Sequence, residues 1–204
     1  MTITLHRGDL PETVDLGPLV AVDTETLGLK LARDRLCLVQ LSSGDGTAHL
    51  VQFDRSGYDC PNLKRLLASP NVTKIFHFGR FDIAMIARHL GVIARPVYCT
   101  KIASRLTRTY TDRHGLKDLV RELLGIDLSK QQQSSDWGAP ELSDAQLHYA
   151  AADVLYLHAL KVRFDELLQR EGRGDLAEAC FGFLPARALL DIAGWEEEDI
   201  FAHS

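Results

Sequence analysis

The stretch Leu142 to Leu160, LSDAQLHYAAADVLYLHAL, is the strongest single constraint on the fold. Ser143 followed three residues later by Gln146 has the form of a capping box, and the run after it is rich in Ala and Leu, with no Gly or Pro before Gly172. The expectation is one long helix. It is mostly apolar from Leu147 onward, so it must lie against other elements of a domain. Tyr149 and Asp153, four residues apart, share one helical face and can address one object together. A carboxylate on such a helix is costly to bury unless a partner such as a metal compensates it. Judged alone, the stretch also suits a helix whose Tyr packs and whose Asp is solvated.

The elements it would cover read as strands alternating with helices. TITLH suggests a short first strand followed by a loop, and LVAVDTE, Leu19 to Glu25, is an apolar run ending in acids. Residues i and i+2 of a strand face the same side, so Asp23 and Glu25 present two carboxylates together, with Thr24 on the other face. Two such charges repel unless a cation lies between them, and a hard divalent ion with oxygen ligands suits that position. The alternative is a polar strand end running into the turn TLGLK. RLCLVQLSS and GTAHLVQF, separated by Gly44-Asp45-Gly46, read as a hairpin that completes an antiparallel three-stranded meander.

Cys60 to Ser69 reads as a helix opened by Pro61, TKIFHF as a strand, and Gly79-Arg80-Phe81-Asp82 as the entry to a helix ended by Gly91. Asp82 near a helix start is a favourable partner for the dipole in its own right, and His77 at a strand end is either packed or a ligand. PVYCT and KIASRLTR repeat the strand-helix alternation. Around TRTYTDRHGLKDLVREL, the residues Arg105, Arg108, Arg113, Lys117 and Arg121 form either a solvated helix face or, with Tyr110, a phosphate-and-base contact. The polar loop DLSKQQQSSDWGAPE carries Trp137 as a packing anchor. A helix around Asp175 to Phe181 and the acidic tail GWEEEDIFAHS follow. The expectation is a single α/β domain over 1–204, with a core of about 19–165 and a C-terminal helical extension at 172–204.

Charge and composition exclude several classes. Lys and Arg number 23 against 28 Asp and Glu, a net charge of -5, which argues against a chain that grips long nucleic acid through many phosphate contacts. A short anion held mainly by metal ions remains compatible. No apolar stretch is long enough to span a membrane, and the start MTITLHRGDLPETVD lacks the pattern of a signal peptide, so the expected setting is the cytoplasm with no membrane partner. Cys37, Cys60, Cys99 and Cys180 are scattered without zinc spacing and are expected to be reduced and mostly packed.

Taken in order, an acid-x-acid ending the first strong strand, an Asp opening a later helix and Tyr-x-x-x-Asp on a late helix form a specific set: Asp23, Glu25, Asp82, Tyr149 and Asp153. The wording VAVDTETLGL, RLCLVQLSSGDG, KIFHFGRFDIAMI and KQQQSSDWGAPELSDAQLHYAAADVLYL resembles the DEDD superfamily of 3′-to-5′ exonucleases, in the Tyr-bearing subgroup of ribonuclease D, over residues 19 to about 165. The resemblance implies a ribonuclease H-like fold, a mixed five- or six-stranded sheet flanked by helices whose first three strands are antiparallel. It makes Asp23, Glu25, Asp82 and Asp153 the ligands of two Mg²⁺ ions, with Mn²⁺ able to substitute, and Tyr149 the residue that orients the attacking water. Two ions about 4 Å apart can generate a nucleophile at neutral pH and relieve charge on the leaving oxygen.

Residues after 165 leave little room for the helical HRDC domains of ribonuclease D, and the chain is more similar to the nano-RNase C type of oligoribonuclease of alphaproteobacteria. That similarity implies a short RNA substrate, especially a diribonucleotide, hydrolysed to nucleoside 5′-monophosphates, and a homo-oligomeric ring, an octamer. The alternatives are ribonuclease D-like trimming of longer RNA and action on DNA. Further substrate-binding candidates are Leu29 or Leu27, as a wedge against a base or as turn packing, with His77, Arg108 and Tyr110.

Overall fold

A computed structural model describes residues 1–128 and 135–203 of the chain, so 129–134 of the polar loop lie outside the described residues. Six strands, β1 (Thr2–Arg7), β2 (Leu19–Thr26), β3 (Leu36–Ser42), β4 (Thr47–Gln52), β5 (Thr73–Phe76) and β6 (Val97–Cys99), form one sheet in the order β1-β4-β3-β2-β5-β6. The meander β2-β3-β4 is antiparallel as expected, whereas β1 pairs parallel to β4, β5 parallel to β2 and β6 parallel to β5. The sheet is therefore mixed. All seven residues of β3 are buried, which explains why LCLVQLS shows no polar alternation: both faces of this strand are covered. Next to it runs β2, so the acids of LVAVDTE stand at the end of an interior strand, where a register shift between Glu25 and Thr26 ends regular pairing.

Seven helices cover the sheet: α1 (Pro61–Ala68), α2 (Arg80–Leu90), α3 (Thr100–Thr107), α4 (Leu116–Leu124), α5 (Asp144–Leu155), α6 (Leu157–Arg170) and α7 (Gly174–Leu190). Helix α5 packs across β3, β4 and β2. Its predicted capping box is present, with Ser143 Oγ accepting from the Gln146 N–H at 3.3 Å and Gln146 Oε1 accepting from the Ser143 N–H at 3.0 Å. Trp137 is buried and lies 6.0 Å, ring to ring, from Tyr149, so the loop residue is the anchor that its chemistry suggested.

Two expectations need correction. The long helix over Leu142 to Leu160 is two helices, α5 and α6, that meet at Tyr156. Beyond the break, His158 Nε2 donates to the Leu19 carbonyl at 3.0 Å and its ring fills the space beside Gly44, where a Cβ would stand 2.6 Å from His158 Cγ. The turn thus ties the α5–α6 junction to the start of β2. The C-terminal helix extends well past Asp175 to Phe181, running from Gly174 to Leu190 through Pro185. Burial of Ala177, Phe181, Leu184 and Ala188, with packing against α2 and β6, overrides the helix-breaking tendency of proline. A wide turn, Asp191–Trp195, follows.

Cys37, Cys60 and Cys99 are buried, Cys180 is exposed, and all four are free. No helix among the described residues is long and apolar enough to cross a membrane. Lys74, on β5, is fully buried, and its Nζ donates to the carbonyls of Ser69, Val72 and Arg95 at 2.8, 2.7 and 2.6 Å. Burial pulls its ammonium down to about 8. Lys74→Met strands three carbonyls and should cost about 2–4 kcal/mol in urea unfolding; a loss below about 0.5 kcal/mol would show that those carbonyls find other donors.

Candidate active site

Strand period places Asp23 and Glu25 on the same face of β2, and α5 brings Asp153 over them. One carboxylate oxygen from each of the three lies within 4.8 Å of the other two. The opposite face of β2 presents Thr24, whose Oγ1 donates to Asp82 Oδ1 at 2.6 Å, so Asp82 in the first turn of α2 is held beside the trio rather than within it. Gln40 on β3 donates from Nε2 to Asp23 Oδ2 at 3.3 Å.

Crowding of this kind has an electrostatic signature. Burial, then the charges of Asp82, Asp153 and Glu25, holds Asp23 well above the ordinary carboxylate range. Burial and the charges of Asp153 and Asp82 push Glu25 up to about 9. Burial raises Asp82 to about 7 against the opposing hydrogen bond from Thr24, and Asp153 to about 7 against a hydrogen bond from Tyr149. The carboxyl groups retain protons where they would otherwise be ionised, and a bound cation is the partner that releases them. The donor set, hard oxygens converging on one point, fits a divalent metal ion. Tyr149 is raised too, by burial and by the charges of Asp153, Glu25 and Asp23, so its phenol keeps its proton at neutral pH.

These residues line a cleft of about 670 Å³. Leu29, 76% exposed, stands on its wall, whereas Leu27 packs against the 136–138 turn, where a Cβ on Gly138 would stand 2.6 Å from Leu27 Cδ2. His77 lines the cleft; its Nδ1 is 2.9 Å from Thr100 Oγ1, and burial pulls it down to about 3, so the ring is neutral. Arg108 and Tyr110 are not in the cleft wall. Arg108 is buried, paired with Glu122 and bonded to the Arg113 carbonyl at 2.7 Å, and the exposed Tyr110 ring lies 5.8 Å from its guanidinium. The basic cluster is therefore partly structural, and of its members Lys117 alone reaches the cleft.

Sequence reading missed Arg80, Phe78 and Lys101, and the acids Asp191, Glu196 and Glu197 of the C-terminal turn, all of which line the cleft. The first two are adjacent to Gly79 in the very motif that carries Asp82, a signal that was there to use. Nothing local marks the C-terminal acids. Arg80 is bound to Asp191 through Nε at 2.6 Å and Nη2 at 2.7 Å, which brings the turn to the active-site end of α2.

Comparison with known proteins identifies this arrangement. Residues 9–169 match the 3'-5' exonuclease family. Ribonuclease D of Acidiphilium cryptum is 37% identical over 158 residues, covering 78% of this chain and 40% of that protein. The chain thus spans about two fifths of the length of such curated relatives. A structure of Brucella melitensis NrnC with bound Mg²⁺ is 57% identical, with a TM-score of 0.96, and one of the same protein bound to pGG is 58% identical, with a TM-score of 0.97; each covers 100% of both chains. The mixed sheet flanked by helices is the ribonuclease H-like exonuclease fold shared with these neighbours. With its acids and tyrosine in one cleft of that fold, the chain belongs to the DEDD 3′-5′ exonucleases, hydrolases of the ribonuclease D and NrnC kind.

Proposed function

We propose that the chain is a metal-dependent 3′-5′ exoribonuclease that hydrolyses short oligoribonucleotides, diribonucleotides above all, to nucleoside 5′-monophosphates. The observation that carries this reading is the convergence of Asp23, Glu25 and Asp153 oxygens within 4.8 Å, beside Asp82 and Tyr149. Substrate size is supported by the binding of pGG to Brucella melitensis NrnC. Asp23, Glu25, Asp82 and Asp153 would hold two Mg²⁺ ions, with Mn²⁺ as a substitute. When bound, the metal supplies an acidified water and relief of charge on the leaving oxygen. Tyr149 orients that water by hydrogen bonding. Water adds to phosphorus and the P–O3′ bond breaks, leaving a nucleoside 5′-monophosphate and a free 3′-hydroxyl on the shortened strand. Leu29 offers an apolar edge to a base, and the neutral His77 stands in the cleft wall.

The proposal extends to residues 1–204 acting as one exonuclease domain, in the cytoplasm, within a homo-oligomeric ring of eight copies. The family resemblance supports the ring and its restriction on substrate length.

A time course with 5′-labelled RNA of two and of twenty nucleotides, in Mg²⁺ and in EDTA, tests the reading. Rapid, metal-dependent loss of the dimer with slower work on the long strand is expected. Stepwise shortening of the long strand that leaves dimers behind would instead favour ribonuclease D-like trimming, and equal cleavage of a DNA dimer would remove the preference for RNA. In the same assay Asp153→Ala should abolish turnover while the fold persists, because it removes repulsion along with a ligand. Tyr149→Phe should slow turnover by about 100-fold, the size typical of losing one positioned hydrogen-bond donor; wild-type rates would reduce Tyr149 to packing.

The raised carboxyl groups also set a pH dependence. Unfolded, they titrate near pH ~4; folded, Asp82 and Asp153 titrate at about 7 and Glu25 at about 9. The folded chain binds more protons between those limits, so its stability is full below the unfolded value, falls as pH rises from about 4, and is fully lost once pH has passed through 7 to 9. Melting temperature in EDTA should therefore fall as pH is raised through that window, and saturating Mg²⁺ should flatten the fall. A metal-free melting temperature that is constant with pH would contradict the crowding.

A further inference from the structure

Among the described residues, Phe78 is the only non-glycine with a left-handed backbone, at φ +64. A bulky aromatic side chain seldom occupies that region, and strained positions concentrate at functional sites. The turn that enforces it is tight, since a Cβ on the following Gly79 would stand 2.5 Å from the Phe76 Cβ. The strained residue is also a poorly buried one: its ring is 49% exposed and lies in the wall of the cleft that holds the carboxylates.

The ring is nonetheless fixed. Lys101 Nζ sits 4.0 Å from its centroid, over one face. The neighbouring pair repeats the connection, with His77 Nδ1 2.9 Å from Thr100 Oγ1 and that hydroxyl donating to the Phe76 carbonyl at 3.2 Å. Residues 77–78 are thus fastened to 100–101 by two consecutive contacts, one polar and one cation on ring. What results is a half-exposed apolar ring in the cleft wall, with an ammonium over one of its faces.

We infer that the exposed part of the Phe78 ring is a stacking platform for one nucleobase of the substrate, with Lys101 and the His77–Thr100 contact acting as positioning groups that hold the ring in place. The inference rests on the exoribonuclease reading and names one of its contacts. Every base has a π-face, so such a platform binds without regard to sequence. It also supplies affinity without a row of cations, which suits a chain of net charge -5.

The test is steady-state kinetics of the wild-type chain and of Phe78→Ala, Phe78→Gly and Phe78→Trp, in Mg²⁺, on a diribonucleotide and on its two abasic counterparts, one lacking the 5′ base and one the 3′ base. Phe78→Ala and Phe78→Gly should raise KM for the intact dimer by roughly 5- to 150-fold, the range that stacking of one base is worth, with kcat changed far less. Phe78→Trp should retain the wild-type KM. The penalty should vanish on the abasic dimer that lacks the stacked base, which identifies the base. Phe78→Gly should melt at or above the wild-type temperature, because glycine accepts this φ without strain. An unchanged KM in Phe78→Gly, or an equal penalty on all three dimers, would overturn the inference and leave Phe78 a residue of the turn. A wild-type chain that cleaves no RNA dimer would instead bring down the functional reading together with the inference.

Discussion

Four carboxyl groups on β2, α2 and α5 repel one another in a cleft that water reaches only in part, and the elements around them are fixed so that the groups cannot drift apart. On β2, Asp23 and Glu25 are pinned by antiparallel pairing with β3, while its first residues pair with β5. The capping box fixes the start of α5, and the buried Trp137 braces Tyr149 one turn before Asp153. Asp82 is drawn in by Thr24 from the other face of β2, and Arg80 clamps the first turn of α2 to Asp191. The β5 ladder ends at Ala21, so the acids follow directly on the doubly paired part of β2. An interior strand makes the arrangement stiff enough to keep an unfavourable set of charges together until a cation compensates them.

The same cleft is sparing with positive charge. Arg80, Lys101 and Lys117 are the Arg and Lys side chains in its described wall, and Arg80 is bound to Asp191, while Lys101 lies on the Phe78 ring. Glu196 and Glu197 share the wall with them, and Arg80 also donates to the Glu196 carbonyl. A polyanion many phosphates long gains little from such a surface, since affinity of that kind comes from clustered free cations. In the proposed function, binding weight falls instead on the oxygen cluster and on apolar surfaces such as Leu29. The raised phenol of Tyr149 and the lowered imidazole of His77 fit this economy: both are neutral at physiological pH and add no charge to the cleft.

Patterns that depend on near neighbours in the chain were legible in the sequence. The i, i+2 spacing of Asp23 and Glu25, the Gly44–Gly46 turn of the meander, the Ser143–Gln146 box and the four-residue step from Tyr149 to Asp153 each carry their own geometry. Features made by tertiary contact were not. Nothing in HYAAADVLYLHAL marks Tyr156 as a break, and the contact of His158 with the Leu19 carbonyl just beyond it joins residues far apart in the chain. Arg108 looked like a surface cation because its partner Glu122 lies on a separate helix, and α7 outlasts its propensity because one face is buried. The left-handed φ of Phe78 follows from a turn whose tightness only the folded Phe76 ring reveals.

The C-terminal turn lies beyond the segment that matches the 3′-5′ exonuclease family. The family match ends at residue 169, and the four acids and Tyr149 all fall inside it. Asp191, Glu196 and Glu197 lie beyond it and yet form part of the cleft wall. Their position is held by Asp191, which accepts from Arg80 on α2 and, at 3.2 Å, from Arg187 on α7. Arg187 also donates to the Trp195 carbonyl at 2.9 Å, so one carboxylate and two guanidiniums close the turn onto the helix that carries Asp82. Asp191 is buried, and the bidentate Arg80 contact supplies the geometry that makes a buried ion pair tenable. Helix α7 is therefore no appendage to the catalytic core. It brings an acidic wall to the cleft, and the whole-length agreement with Brucella melitensis NrnC extends over it. The carboxylate cluster lies in the segment common to the family, and the segment that follows adds three acids to the wall around it.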